Sequence, residues 1–480
     1  MKFNKVLLIR FPYYGTFLGD ASSLPVGLGY VAESLYDNKI EYDVFDMGLS
    51  GNTKKGLFEK INEFKPDLLG ITMMTMHYKA HYQLIDELKD RFPSLKVAVG
   101  GPHLSTFREQ VLSDCKSIDY GVVLEGDELF VELCKGKELP AISGLIYRDN
   151  EKVIYNGNRP FIDDLDKISF PRYRKFELDR YLALSIPIHT TRGCPYDCIY
   201  CPVGLAIGKK FRARSPEHIM EEIGYWYTLG KRDFLVWDDN FTLIQDRVFK
   251  ICDLIEKRGF KGLSIGIPNG IRADKASYEL LKRMREAGFD MLSFGVEAGN
   301  DRILNNIKKG TNIKSMERAV KDACDLGYDV FLYFIIGSPG ETWNDFQESL
   351  NFARRYPAAE ARFYTLIPFP HTELFKWAEK NNYLIRQPEE YLNTADHFVN
   401  KPCLSTPEMS AEERVKAFEA GWKLTSEFKV RRKIRSLGKF GVFKSTIARF
   451  LISNTYKQLY KSKLFRYLVV LPLRKLKSGS

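Results

Sequence analysis

Three cysteines offer the sharpest chemistry in this chain. They stand in HTTRGCPYDCIYCPVG (189–204) as Cys194, Cys198 and Cys201, spaced four and three residues apart after an apolar strand. Thiolates spaced this way reach one small inorganic core from several directions, as a [4Fe–4S] cube requires. Three protein ligands leave one iron open, and an open iron can chelate a small molecule through an amine and a carboxylate. Zinc is the competing reading, but structural zinc normally takes four protein ligands. No fourth cysteine lies close, and His189 precedes the loop. Cys115, Cys134, Cys252, Cys324 and Cys403 are scattered through the 480 residues, which argues against a disulfide framework.

The elements that position this loop read as alternating strands and helices. From 185 on, LSIPIHTT (184–191), DFLVWDD (233–239), GLSIGIP (262–268), MLSFGVE (291–297), VFLYFIIG (330–337) and ARFYTLIP (361–368) are strand candidates. Helical patterns at 216–229, 245–259, 274–287, 314–326 and 341–355 separate them. Six βα units fall short of the eight of a closed barrel, so a partial (βα)6 TIM-type barrel is expected over 185–390. Residues 1–140 alternate in the same way, with strand candidates at 5–10, 42–47, 67–74, 96–101 and 120–126. Fully apolar strands between helices imply a doubly wound parallel sheet, with ligands bound beyond the carboxyl ends of its strands. A hairpin with a Pro-containing linker is expected at 141–184, and a helical basic region at 391–480.

Composition bounds the rest. Hydrophobic residues make up 44% of the chain, enough for two or three packed domains. No run reaches the roughly 20 apolar residues that span a bilayer. The start, MKFNKVLLIRFPYYG, reads as a first strand and not as a signal peptide, so a cytoplasmic protein is expected. The formal net charge is +11. Fifteen Lys and Arg residues and no acid follow Glu427, so the tail carries the whole excess. There Lys and Arg interleave with Phe, Tyr, Leu and Ile, as in amphipathic helices. Peripheral contact with an anionic membrane, packing against the barrel, and nucleic-acid binding are three uses of such a tail, with nucleic acid the least favoured.

The cysteine loop, with Tyr200 before its last cysteine, resembles the radical S-adenosylmethionine (SAM) superfamily. In that family the amine and carboxylate of SAM bind the fourth iron. Reductive cleavage of SAM then gives a 5′-deoxyadenosyl radical that abstracts hydrogen from a substrate. Downstream segments extend the resemblance. VWDDNF (236–241) matches the second-strand segment near SAM's amine, where Asp238, Asp239 or Asn240 is implied. NGIRAD (269–274) follows the third strand and carries Arg272, and SFGVEAGNDRIL (293–304) closes the fourth with Glu297, matching the ribose contact. FIIGSPGET (334–342) and LIPFPHTEL (366–374) match the fifth and sixth. The resemblance implies Cys194, Cys198 and Cys201 as cluster ligands, and Tyr200, Asp238, Asn240, Arg272 and Glu297 as SAM contacts.

The N-terminal part resembles the cobalamin-binding domain that precedes the barrel in one large subclass. LPVGLGYVAESL (24–35), PDLLGITMMT (66–75), VAVGGPHLS (97–105) and GVVLEGDE (121–128) carry that resemblance. The subclass usually shows Gly-Glu-Gly-Glu at the last site, where this chain has Leu-Glu-Gly-Asp. Thr75, Gly100, Gly101, Glu125 and Gly126 are implied as cobalamin contacts, with Thr72 as a further strand-end residue. The motif Asp-x-His-x-x-Gly, which supplies a cobalt-ligating histidine in many cobalamin proteins, is absent, as in other members of this subclass. His77 and His103 lie in candidate loops and read as hydrogen-bonding residues before cobalt ligands.

The resemblance therefore implies an enzyme with a [4Fe–4S] cluster, SAM and cobalamin that methylates an unactivated carbon of a small-molecule or lipid-like substrate. Cyclisation or ring rearrangement is the alternative, and a non-catalytic iron–sulfur protein is the other class. An external electron donor such as flavodoxin or ferredoxin is implied as a partner.

Overall fold

The computed structural model describes residues 2–12, 23–181, 185–394, 400–436 and Leu451. Most of the basic tail thus lies outside the described residues.

The N-terminal sheet has seven strands: β1 (Lys5–Arg10), β2 (Glu41–Asp46), β3 (Leu68–Thr72), β4 (Lys96–Gly100), β5 (Tyr120–Val122), β6 (Leu145–Asp149) and β7 (Lys152–Tyr155). Their order is β2-β1-β3-β4-β5-β6-β7. The first five are parallel, and β6 and β7 join antiparallel. Leu7, Ile9, Leu69 and Ile71 belong to one apolar core, while Val6, Leu8 and Leu68 belong to the other. Alternate residues of each strand thus enter opposite cores, which is the pattern of a sheet covered on both faces.

Within 141–184, where a hairpin followed by a Pro-containing linker is expected, β6 and β7 form an antiparallel pair. Tyr120, Gly121 and Val122 pair with Tyr147, Ile146 and Leu145, so the hairpin extends the N-terminal sheet. The pairing satisfies the open edge of β5, which would otherwise present unpaired backbone. The chain after it is pinned back by the buried Glu33, which accepts from the Arg172 backbone N–H (3.1 Å) and guanidinium (2.6 Å).

The second sheet comprises β8 (Ile186–Ile188), β11 (Asp233–Val236), β12 (Ser264–Ile271), β13 (Phe289–Glu297), β14 (Asp329–Ile336) and β15 (Glu360–Thr365). All six are parallel and lie in sequence order, giving the partial barrel. A short antiparallel ribbon, β9 (Thr191–Arg192) with β10 (Arg212–Ala213), brackets the cysteine loop at its base.

Several strands end earlier than the apolar runs suggest, because the last residues of those runs leave the sheet. Residues 237–239, 337 and 366–368 therefore sit in loops at the carboxyl edge. One expected helix also begins later, at Tyr278, because the Ser277 side chain caps it by accepting from the Leu280 N–H.

The open edge of β15 is covered by the helix Ala411–Ser436. Thr425 Oγ1 donates to the Ala361 carbonyl at 2.7 Å, and Gly421 lies against Phe363, where a Cβ would stand 2.6 Å from the ring-bearing carbon. Thr425→Val removes the only side-chain donor this helix gives Ala361 among the described contacts. It should cost the barrel about 1–2 kcal/mol, read as a lower denaturant midpoint of the barrel's unfolding transition.

Candidate functional site

The carboxyl edges of the two sheets face each other across a cavity of about 510 Å³. Gly100, Gly101, Glu125 and Gly126 line it from the N-terminal domain, and His189, Arg192, Trp237 and Asp239 from the barrel. Gly101 adopts a positive φ of 97°, and a Cβ there would stand 2.9 Å from the Met73 carbonyl, so the turn at this wall requires glycine. Gly27 also lines the cavity, with open space where a Cβ would be. Thr72, at the end of β3, faces in, whereas Thr75 is buried off the cavity because the chain turns after β3.

Glu125 lines the cavity, but its carboxylate is already engaged. It accepts from Arg192 (3.0 Å), Arg212 (2.7 Å) and the Ile162 N–H (3.0 Å). Asp127 takes both Arg192 Nη atoms, at 2.8 and 3.0 Å. Burial alone would raise the Asp127 carboxyl, but the Arg192 charge overrides it and holds it below the ordinary carboxylate range. The Arg192 guanidinium also lies over Tyr30, 4.9 Å from the ring centroid. The Leu-Glu-Gly-Asp segment therefore grips an arginine two residues before Cys194. The arginine did not stand out in the sequence, and Asp127 did so only as the last residue of Leu-Glu-Gly-Asp, since charged neighbours of a motif carry no spacing signal.

The cysteine loop is held from several sides. The Cys194 N–H donates to Gly208 (3.3 Å), and the Cys201 N–H to Cys198 (3.1 Å). The Ile199 N–H reaches Ile307 (3.2 Å), beside the fourth-strand loop. Burial raises the Cys194 thiol and pushes Cys201 up to about 12. Buried thiols favour deprotonation only when a cation compensates, which suits iron ligation. No three His, Cys, Asp or Glu side chains among the described residues surround a single ion. A cube in which three irons would each take one cysteine does not call for that arrangement.

Of the SAM contacts implied by sequence, Asn240 is the most open. Among the described residues, neither of its buried amide atoms has a hydrogen-bond partner, and the same holds for Trp237 Nε1 and Ser338 Oγ. Several orphaned polar atoms at one barrel mouth are groups that a polar ligand satisfies. Asp238 is not available in this way. Its carboxylate accepts the N–H groups of Thr190 (2.6 Å) and Thr191 (3.1 Å) and the Thr190 hydroxyl, fixing the chain between β8 and β9. Its neighbour Asp239 lines the cavity instead, and burial followed by the Asp238 charge pushes its carboxyl up to about 6.

Arg272 also works locally. Its Nε donates to Asp274 (3.0 Å), its Nη atoms to the Lys309 and Gly310 carbonyls (2.8 and 2.6 Å), and its face covers Tyr196 at 3.6 Å. It ties the third-strand end to the cysteine loop and to the loop carrying Lys309. Glu297 has a left-handed backbone (φ 66°), a cost of about 1–3 kcal/mol that is typical of functional sites. Its carboxylate pairs with Lys309 at 2.6 Å, and Tyr200 OH lies 3.5 Å from the same ammonium. Burial opposes the Lys309 charge, but Glu297 and then Cys198 hold it, and its pKa is raised. Lys309 was not visible in sequence, because one lysine of a Lys-Lys-Gly turn reads as surface.

His77 and His103 serve packing. His77 Nδ1 contacts the Asn393 carbonyl (3.0 Å), and His103 Nε2 meets the Tyr82 hydroxyl (2.8 Å) under the Tyr78 ring.

Two family models match this chain: the B12 binding domain at residues 20–134 and the radical SAM superfamily at 188–353. An uncharacterized methyltransferase of Pyrococcus horikoshii is 32% identical over 80% of this chain and 85% of its own. The chain belongs to the family of radical SAM enzymes with a cobalamin-binding domain. An anaerobic magnesium-protoporphyrin IX monomethyl ester cyclase of Rubrivivax gelatinosus is 27% identical over 86% of this chain and 80% of its own. The fold matches a radical SAM methyltransferase, TsrM, of Kitasatospora setae, solved with cobalamin and a [4Fe–4S] cluster. The TM-score is 0.69 at 21% identity, covering 88% and 86% of the two chains. Membership in this radical SAM family brings a [4Fe–4S] cluster, SAM and cobalamin. The three thiols, the orphaned mouth groups and the glycine-lined cavity suit them in turn.

Two expectations follow from this geometry. Arg192→Gln leaves Asp127 buried beside a neutral partner and should cost about 3–5 kcal/mol. Adding Asp127→Asn should recover part of that loss in a thermal-unfolding double-mutant cycle. Burial lowers His189 to about 4 and His103 to about 3, from an ordinary 6.5. Both rings stay neutral in the fold while the unfolded chain takes up protons first. Stability should therefore fall as pH drops from 6.5 toward those values, and His103→Asn should flatten the dependence measured by denaturation.

Proposed function

We propose that this protein transfers a methyl group from SAM to an unactivated carbon of a small-molecule or lipid-like substrate. The observation that carries this reading is the shared cavity, bounded by Gly100 and Gly101 of the cobalamin-type domain and by Trp237 and Asp239 of the barrel. One compartment thus borders both cofactor regions. When bound, the cluster supplies the electron that cleaves SAM, and cobalamin supplies a carrier for the methyl group.

The chain's own residues bind and shield. Cys194, Cys198 and Cys201 ligate the cluster. Asn240, Trp237 and Ser338 offer donors and acceptors to SAM, and Glu297 takes its ribose. Thr72, Gly100, Gly101 and Gly126 form the cobalamin wall, and Arg192 with Glu125 and Asp127 keeps the two walls in register. Asp239 and His189 are titratable groups of the barrel that line the shared space. The electron comes from an external donor of the flavodoxin or ferredoxin type. We place the enzyme in the cytoplasm, with the basic tail as a surface for peripheral membrane contact. No described helix is long and apolar enough to cross a membrane.

Ring formation is the second reading, favoured by the relative of Rubrivivax gelatinosus, a cyclase. The deciding experiment reconstitutes the protein anaerobically with iron, sulfide and cobalamin, reduces it, and supplies methyl-deuterated SAM with candidate substrates. The expected result is 5′-deoxyadenosine, S-adenosylhomocysteine and a deuterated methyl product, all lost in Cys198→Ala. A product of unchanged carbon count, with 5′-deoxyadenosine formed, would replace methyl transfer by cyclisation.

A further inference from the structure

The helix Tyr78–Arg91, which follows the β3 loop of the cavity wall, carries no cap in its own sequence. Its N-cap residue His77 has a left-handed backbone (φ 61°, ψ 26°), its side chain does not cap, and no acid lies in the first turn. A capping side chain works from extended backbone, so this start has to be capped from elsewhere. The cap comes from beyond the barrel. Asn393 Oδ1 accepts from the Lys79 N–H at 2.9 Å, across 314 residues of sequence. Lys79 is the second residue of the helix, a position whose N–H an N-cap side chain ordinarily takes. The Leu392 carbonyl takes the His77 N–H at 2.7 Å, and His77 Nδ1 lies 3.0 Å from the Asn393 carbonyl. Asn393 is aimed by its own Nδ2, which donates to the Glu389 carbonyl at 2.9 Å.

The capping segment is the helix Pro388–Thr394, and it is tied to the barrel mouth. The Tyr391 hydroxyl donates to the Pro368 carbonyl at 2.5 Å, in the loop after the sixth barrel strand. Tyr391 and Leu392 are buried with Ile367 and Cys403, and Met76 and Tyr78 of the N-terminal domain pack against them. What the cap holds is the chain from 73 to 77. Its start is fixed within the N-terminal domain, where the Met73 N–H donates to the Gly100 carbonyl (2.9 Å) and the Met73 carbonyl accepts from the His103 N–H (3.1 Å). Its end is fixed by Leu392 and Asn393. Between the two anchors Met74, 38% exposed, lines the shared cavity beside Thr72 and Gly101.

We propose that Asn393 is a positioning residue for the cobalamin wall. By capping the helix Tyr78–Arg91 from outside, it holds residues 73–77 in the shape that closes the cavity. The N-terminal domain therefore completes its cofactor wall only with the segment after the barrel docked on it. This rests on the reading that the cavity takes cobalamin. Asparagine suits the task, because one planar amide supplies the acceptor for Lys79 and the donor for Glu389. The role differs from that of Arg192: the arginine sets the distance between two walls, and Asn393 sets the shape of one loop. Without the cap, the end of the loop opens more often and the bound cofactor leaves more readily.

The test uses the full-length protein as wild type, Asn393→Ala and Asn393→Asp. Asn393 is only half-buried, so the substitutions leave no core cavity. Three quantities are read: amide hydrogen exchange of peptides covering 73–82, the dissociation rate of bound hydroxocobalamin, and the electron paramagnetic resonance spectrum of bound cob(II)alamin. In Asn393→Ala, exchange at 73–82 and cobalamin release should each quicken about fivefold, the size of a typical lost N-cap. The cob(II)alamin spectrum should change, and peptides of β13 should exchange as in wild type. Asn393→Asp keeps the acceptor and should retain most of the wild-type behaviour. Unchanged exchange at 73–82 overturns the proposal, and so does faster exchange spread equally over β13, which is global destabilisation. Faster exchange at 73–82 with release and spectrum unchanged makes the cap structural only, overturning the positioning role while the cobalamin reading stands. If the wild type binds no cobalamin, that reading fails and the positioning role with it.

Discussion

Arg192 sits between two acids of one domain and the cysteine loop of the other, and the relative placement of both cofactor regions depends on that grip. Its guanidinium reaches Asp127 through two nitrogens and Glu125 through one, with little exposure on any of the three side chains. A desolvated cation stays in place only if its partners do, since removing one leaves a costly buried charge. Arg192 also belongs to the β9–β10 ribbon at the base of the cysteine loop, paired in register with Arg212, which grips Glu125 as well. The two arginines therefore convert a contact between domains into a fixed distance between the N-terminal wall of the cavity and the thiols.

With that distance set, the parallel sheets do the rest. Strands of a parallel sheet all end on one edge, so every loop that carries a functional group emerges on the same side. Here two such edges face one another, and at the barrel's edge some buried polar groups have no partner among the described residues. Among the described residues, the side-chain polar atoms of Asn240, Trp237 and Ser338 have no partner, while Asp238, close in sequence, accepts three hydrogen bonds. The division separates groups that hold the loops from groups left for ligands.

A second layer holds the mouth from below. Arg272 joins the third-strand end, the Lys309 loop and Tyr196 of the cysteine loop, so three segments far apart in sequence move as one body. Behind the fifth strand, the buried Glu341 accepts from the Gly337 and Ser338 N–H groups, and Arg414 of the covering helix donates to the Gly337 carbonyl at 2.7 Å. Burial pushes Glu341 up to about 7 against those bonds. The helix that closes the open edge of β15 thus also fixes a loop bordering the site.

The sequence by itself determined the classes of element and the chemistry of the loop. Apolar runs between amphipathic helices specify parallel sheets, because only strands buried on both faces are apolar throughout. The cysteine spacing gathers three thiols, because a local loop needs no distant partner to present them. The glycine at 101 was legible for a related reason, since its positive φ is a matter of local backbone geometry. What sequence left open was decided by long-range pairing of charges. Whether Glu125 contacts a cofactor or an arginine, and whether Asp238 or Asp239 faces the cavity, turn on partners tens of residues away. A carboxylate's role is set by which cation the fold brings to it, and composition and spacing carry no record of that. The hairpin at β6 and β7 follows the same logic: its alternation marks a hairpin, but only the open edge of β5 makes it part of a sheet.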